Sequence, residues 1–244
     1  MPARLVSVSA LPREGSSANG GGNKACAALL TAMAVQPLHE FGPATPGDDP
    51  AALGFALALA AQWAGAAGMV WAGEQGVFTE TGAPYPPGLA AFGIDLARLI
   101  VVPAKKREDA LWAAEQGLSL PGAVVICALT ARGRALDLKV TRRLLLFAER
   151  HRSRCLLLRP ERGPSAAWTR WRIAAAPSLA PARELGAHAF RAELVRNRAG
   201  PAGRRFTLDW NADARCFTER EETLARDISA TPEDRSADPR RARA

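Results

Sequence analysis

The chain has 244 residues, 48% of them hydrophobic and 23% charged, which is enough for one large core and short for two. Four scattered cysteines (Cys26, Cys127, Cys155 and Cys216) form no CxxC pair, and three histidines stand far apart; a disulfide framework and a histidine-rich metal site are both disfavoured. The net charge of +8 is uneven: residues 36–103 carry six acids against Arg98, whereas residues 137–205 carry 16 Lys/Arg against five acids. That polarity suggests an acidic face for one partner and a basic face for another, although an arginine-rich solvated surface would give the same count.

The first residues, Met1 to Val6, have no apolar core of a signal peptide. A flexible N-terminal segment is expected over 1–35, with the glycine-rich run 15–23 as linker and a short Ala/Leu helix over 24–33. Leu38-His39-Glu40-Phe41 reads as a short strand, followed by Gly42 and a Pro/Gly/Asp loop. Asp48-Asp49-Pro50 opens a helix to about Gly65, with an Asx cap, acids at the positive end of the dipole and proline in the first turn. The charge-free stretch from Ala51 to Gly73 is mostly alanine and glycine, poorer in bulky apolar residues than a membrane helix of about 20 residues needs.

Met69 to Ala72 is a strand, and a turn-rich stretch over 81–88 leads into a short helix near Leu89. Strands at 98–102, 122–127 and 155–158 alternate with helices at 105–118 and 138–151; in the second of these, Val140, Leu144, Phe147 and Ala148 recur at helical spacing. Lys105-Lys106-Arg107 at a helix start opposes the dipole and reads as an exposed cluster or a contact. Such alternation predicts an α/β fold, a mostly parallel sheet with helices on both faces. The pattern then changes. Residues 168–175 alternate as a strand, with Trp168, Arg170 and Arg172 on one face and Thr169, Trp171 and Ile173 on the other. Strands at 190–198 and 204–210 around Ala199-Gly200-Pro201-Ala202-Gly203 form a C-terminal antiparallel hairpin. The expected domain covers 36–217, and residues 218–244 form a charged, disordered tail.

Gly42 to Asp49 has the strand–loop–helix place and the glycine spacing of a GxxxxGK[ST] phosphate loop. A working loop uses lysine against the phosphates and a hydroxyl for magnesium; here Asp48 and Asp49 occupy those positions. Gly42, Gly47, Asp48 and Asp49 are therefore a degenerate P-loop, with no cofactor and no metal expected. Ser165 and Thr81 have no neighbouring base for nucleophilic chemistry. Arg170, Arg172, Arg196, Arg198, Arg204 and Arg205, with Trp168, are the candidate contacts for a partner or for DNA phosphates.

His39 to Pro43, the following Ala/Leu helix and Val70 to Glu74 resemble the first two strands of RecA-type ATPase cores. That resemblance matches Glu74 to the water-activating glutamate and puts Cys127 and Ala128 where a magnesium-associated aspartate would stand, so Glu74 is expected to be a relic. Six segments in order, at 38–41, 84–90, 109–115, 141–144, 169–174 and 193–198, are similar to the ImuA family of RecA-like accessory proteins. The resemblance implies a non-enzymatic cytoplasmic protein of SOS mutagenesis and translesion synthesis. Its implied partners are ImuB, an inactive Y-family polymerase relative, an error-prone C-family DNA polymerase and RecA, with DNA contact through the basic half and no membrane. A divergent ATPase, a DNA-binding recombination regulator and a SulA-like inhibitor of cell division are the alternatives.

Overall fold

The computed structural model describes residues 21–80, 82–131, 135–160, 163–179 and 186–220. In chain order the elements are α1 (Gly21–Met33), β1 (Leu38–Pro43), α2 (Asp49–Trp63), β2 (Met69–Glu74), α3 (Gln75–Glu80) and α4 (Pro86–Ala91). There follow β3 (Leu99–Ala104), α5 (Arg107–Leu118), β4 (Val124–Ala128), α6 (Leu138–His151) and β5 (Arg154–Leu158). The chain closes on β6 (Thr169–Ala175), β7 (Ala189–Asn197), β8 (Arg205–Asn211) and β9 (Cys216–Glu219). All nine strands form one sheet in the order β3-β2-β4-β5-β1-β6-β7-β8-β9. The run from β3 to β6 is parallel and the rest is antiparallel. The α/β architecture with a parallel core and an antiparallel C-terminal end is the one read from the sequence.

α2 explains the charge-free stretch. Its apolar residues point all round the axis, and such a helix needs cover on every side. Phe55 sits at its centre, 5.8 Å from the Phe41 ring, 5.6 Å from Phe190 and 4.9 Å from Phe217. All three rings stand on strands of the sheet, so Phe55 packs α2 onto that face. No helix among the described residues is long and apolar enough to cross a membrane. On the opposite sheet face, α5 and α6 enclose a second cluster that includes Val70, Val125, Cys127, Cys155 and Leu157. Burial pushes the Cys127 thiol up to about 12 and holds Cys155 well above its usual value, so both act as small apolar side chains.

The structure corrects both ends of the expected domain. α1 is helical from Gly21, inside the glycine run read as linker, and it buries Cys26, Leu30 and Met33 in the core. At the other end β9 pairs with β8 through Glu219, past the expected boundary at 217. Arg220 then binds Asp209 in two places, at 2.7 and 2.5 Å. The rest of the glycine-rich segment and the tail from 221 lie outside the described residues. α3 was not anticipated, because six residues are too few to display a helical period.

His39 joins α1 to the sheet. The ring is fully buried; Nε2 lies 2.9 Å from the Met33 carbonyl and Nδ1 2.8 Å from Thr169 Oγ1. The carbonyl can only accept, so Nε2 carries the proton and Nδ1 accepts from the hydroxyl. Trp171 Nε1 in turn donates to the same hydroxyl at 2.9 Å. Burial pushes the imidazole down to about 4, from 6.5. The unfolded chain therefore takes up a proton below pH 6.5 that the folded chain refuses until about pH 4, and stability falls across that window. We expect His39 to account for a loss of about 2 kcal/mol between pH 7 and pH 5. Urea unfolding at both pH values measures it, and His39→Gln should remove that component of the slope.

Candidate functional site

The degenerate phosphate loop lies between β1 and α2, as its sequence position requires. Gly42 and Pro43, however, still belong to the strand, paired with Arg172 and Ile173 of β6. Gly42 is needed for packing: a Cβ there would stand 2.8 Å from the Arg159 carbonyl oxygen. Five residues, 44–48, remain for the loop, and its backbone donors are largely consumed. The Ala44 amide donates to the Ile173 carbonyl at 2.9 Å and the Asp48 amide to the Thr45 carbonyl at 3.1 Å. The Thr45 amide and hydroxyl both donate to Asp48 Oδ2, at 3.0 and 2.6 Å. Pro46 has no amide hydrogen, and Gly47 makes the turn at a φ of +100°.

Asp48 is therefore the anion around which the loop folds. Its Oδ1 also accepts the Ala175 amide at 3.3 Å, tying the loop to the end of β6. The Thr45 hydroxyl, ahead of the two amides, holds the Asp48 carboxyl below the usual carboxylate range. Asp49 follows in the first turn of α2, where an acid complements the dipole. Burial, with Glu80 and Asp48 nearby, raises its pKa. The cleft beside the loop, bordered by Gly42, Asp49, Glu80, Thr130 and Arg159, holds about 100 Å³. Ligand pockets run from about 300 Å³ upward.

Glu74 stands at the end of β2 and is fully engaged. One oxygen accepts from Arg107 Nε at 3.2 Å; the other accepts from the Thr130 amide at 2.5 Å and the Thr130 hydroxyl at 2.9 Å. Arg107 also donates to the Thr130 carbonyl at 2.7 Å. The carboxylate clamps β2, the start of α5 and the end of β4 together. Arg107, expected in an exposed cluster, is turned inward, while Glu108 and Asp109 satisfy the first turn of α5. Cys127 and Ala128 at the end of β4 are buried.

Reading the sequence missed the most buried charge. Glu40 accepts from Arg159 Nε at 2.8 Å, and Arg170 Nε lies 2.9 Å from the same oxygen. Arg159 is wholly enclosed and continues to the Gly163 and Pro164 carbonyls. This triad binds β1, β5 and β6 directly behind the loop.

The structure disperses the seven candidate contact residues. Arg170 belongs to the triad. Arg196 donates to the Ser165 carbonyl at 2.8 Å. Arg198 donates to the Ala166 carbonyl and lies 5.0 Å from the Trp168 ring centroid. Arg204 sits 5.0 Å from the Phe206 ring, and Arg205 pairs with Glu193 at 3.3 Å on the surface. Arg172 makes no ion pair among the described residues. Trp168 and Trp171 occupy opposite faces, with Trp171 in the core.

No model of a known protein family matches the chain. Two curated proteins named Protein ImuA, from two strains of Caulobacter vibrioides, are each 37% identical over 133 residues. The matches cover 49% of this chain and 53% of each relative, so the chain spans about half the length of the curated relatives it matches. Among solved structures, the RadB recombinase aligns with a TM-score of 0.53 and 14% identity over 82% of this chain and 98% of that one. SulA from Pseudomonas aeruginosa aligns over 51% of this chain with a TM-score of 0.38.

Two measurements follow from this geometry. Glu40→Ala leaves two guanidinium groups facing an empty site and should cost about 3–5 kcal/mol in denaturant unfolding. Adding ATP with magnesium should leave the melting temperature unchanged; a ligand present at about 100 times its Kd would stabilise by about 2.7 kcal/mol and raise it by several degrees. In sequence the chain is similar to the ImuA proteins over about half its length, and in fold it is RecA-like.

Proposed function

We propose that this chain is a non-catalytic RecA-like accessory protein of damage-induced mutagenesis and translesion synthesis, working in the cytoplasm through protein contacts. The observation that carries the proposal is the loop closed on Asp48. A phosphate approaching α2 meets two carboxylates, and the Ala44, Thr45 and Asp48 amides of the loop already have partners. Glu74, the one residue suited by position to activate water, spends its carboxylate on Arg107 and Thr130. The similarity to ImuA supports the pathway; the partners we propose for it are an ImuB-like inactive polymerase, an error-prone C-family polymerase and RecA.

DNA contact through Arg172, Arg204 and Arg205 is the second part of the proposal, since these guanidinium groups are exposed or half-exposed and, among the described residues, only Arg205 forms an ion pair, with Glu193. Binding by phosphate neutralisation would weaken steeply with salt. A flat response between about 50 and 200 mM salt would remove DNA from the partners.

The test of the main proposal is co-purification of the tagged protein from cells exposed to a DNA-damaging agent. ImuB-like and C-family polymerases should appear, and disruption of the gene should lower damage-induced mutation. Magnesium-dependent ATP turnover that disappears in Glu74→Gln would reverse the proposal. Any truncation used to map the contact should begin at 221. Removing 218–220 as well takes away part of β9 and the Arg220–Asp209 pair, and should lower the melting temperature measurably.

A further inference from the structure

We infer that the outer surface of α5 and α6 docks an acidic, amphipathic helical segment of a partner protein. The inference rests on the reading of this chain as one that works by contact, and it names a surface outside the loop and outside the basic strands. α6 turns Thr141, Leu144, Leu145 and Ala148 into the core. The opposite stripe carries Lys139, Arg142, Leu146 and Arg150, all exposed. α5 buries Ala110, Leu111, Ala114 and Leu118 and so lifts Glu108, Trp112 and Gln116 outward.

Two features distinguish this face from an ordinary solvated one. The first is apolar: Trp112 is 63% exposed and Leu146 55%, on the crests of two helices that pack side by side. A single exposed leucine is unremarkable, but an exposed indole on one helix and an exposed leucine on the helix packed against it have the composition of an interface anchor. The second is charge. α6 carries Lys139, Arg142, Arg143 and Arg150 against Glu149 alone. Arg143 is neutralised by Glu115 of α5, a contact that also stitches the two helices together. The other three make no ion pair among the described residues. Nearby, the Ala166 amide donates to Thr141 Oγ1, which brings the 165–168 segment against α6 and extends the positive surface to Arg198 above Trp168.

The same two features select the occupant. A nucleic-acid backbone would use the cations but leave Trp112 and Leu146 uncovered. A helix with an apolar stripe and flanking carboxylates uses both: its stripe covers Trp112 and Leu146, and its acids reach Lys139, Arg142 and Arg150. Phe147, one turn from Arg143 on the stripe that meets α5, is half-buried and extends the apolar floor between the helices.

The test uses the full chain and a fluorescein-labelled Glu/Leu peptide of about 18 residues with leucines at helical spacing, read by anisotropy. Saturable binding is expected. Trp112→Ala, Leu146→Ser and the Arg142→Glu/Arg150→Glu pair should each weaken it by about tenfold or more, with the melting temperature unchanged. Equal binding by a peptide with serine for leucine, or indifference to Trp112→Ala and Leu146→Ser, would overturn the inference. So would displacement of the peptide by duplex DNA whose own affinity falls in those variants, which would make the face a nucleic-acid site. Binding only after removal of residues 221–244 would make the occupant this chain's own tail and likewise overturn it. Failure of the peptide to bind, with polymerase co-purification intact, would remove this surface and leave the proposed function standing.

Discussion

A carboxylate supplied by the chain itself settles the chemistry at the carboxyl end of this sheet. In a phosphate loop, converging amides are left unpaired until a ligand arrives, and the energy of pairing them goes into binding. Here that energy goes into folding, because Asp48 accepts from the Thr45 amide, the Thr45 hydroxyl and the Ala175 amide. An incoming anion would have to displace a covalently tethered competitor at high local concentration. Changing Asp48 to a neutral residue would not restore a phosphate site, since Gly42 and Pro43 remain locked into β1 and the cleft stays small.

The surrounding charges follow the same logic. Open α/β sheets place ligands outside the carboxyl ends of their strands, and there this protein has cross-linked its own strand ends. Glu40 joins β1, β5 and β6 through Arg159 and Arg170, and Glu74 joins β2, β4 and α5 through Thr130 and Arg107. Both carboxylates accept from guanidinium groups of neighbouring elements and so fix those elements to one another. Buried ion pairs of this kind contribute little net stability, yet removal of one member is costly, which makes them devices for holding a particular arrangement. What they hold is the rim around the 44–48 loop.

Much of the fold was legible because its signals are local. Gly and Pro punctuate the chain, strands such as Val124–Ala128 are continuous apolar runs, and α6 keeps a helical period from Val140 to Ala148. The loop was legible by residue type: aspartates at 48 and 49 are visible without a structure. Their geometry was not, because Ala175, which binds Asp48, is 127 residues away. Glu40 was passed over for the same reason; Arg159 and Arg170 lie 119 and 130 residues along the chain. A sequence gives the charge of Arg170, Arg196 and Arg198 but not the carbonyls and carboxylate that each meets in the fold. A short helix over 24–33 was legible from its Ala/Leu composition, but not what it docks on: Cys26, Leu30 and Met33 enter the core and His39 reaches the Met33 carbonyl.

The two ends of the sheet divide the work that a contact protein needs done. The antiparallel extension from β6 to β9 buries Phe190, Phe206, Leu208 and Trp210 against the face that also holds α2, so it lengthens the core without opening a pocket. It turns Arg172 and Arg205 to the other face, beyond the helices that cover the parallel half. That half is shielded by α5 and α6, whose inner sides are apolar and whose outer sides carry Trp112, Leu146 and the unpaired cations. Charged groups without an ion pair among the described residues, and exposed apolar groups, thus lie on the outer sides of α5 and α6. Large partners can reach such surfaces, whereas small molecules find little there to enclose them.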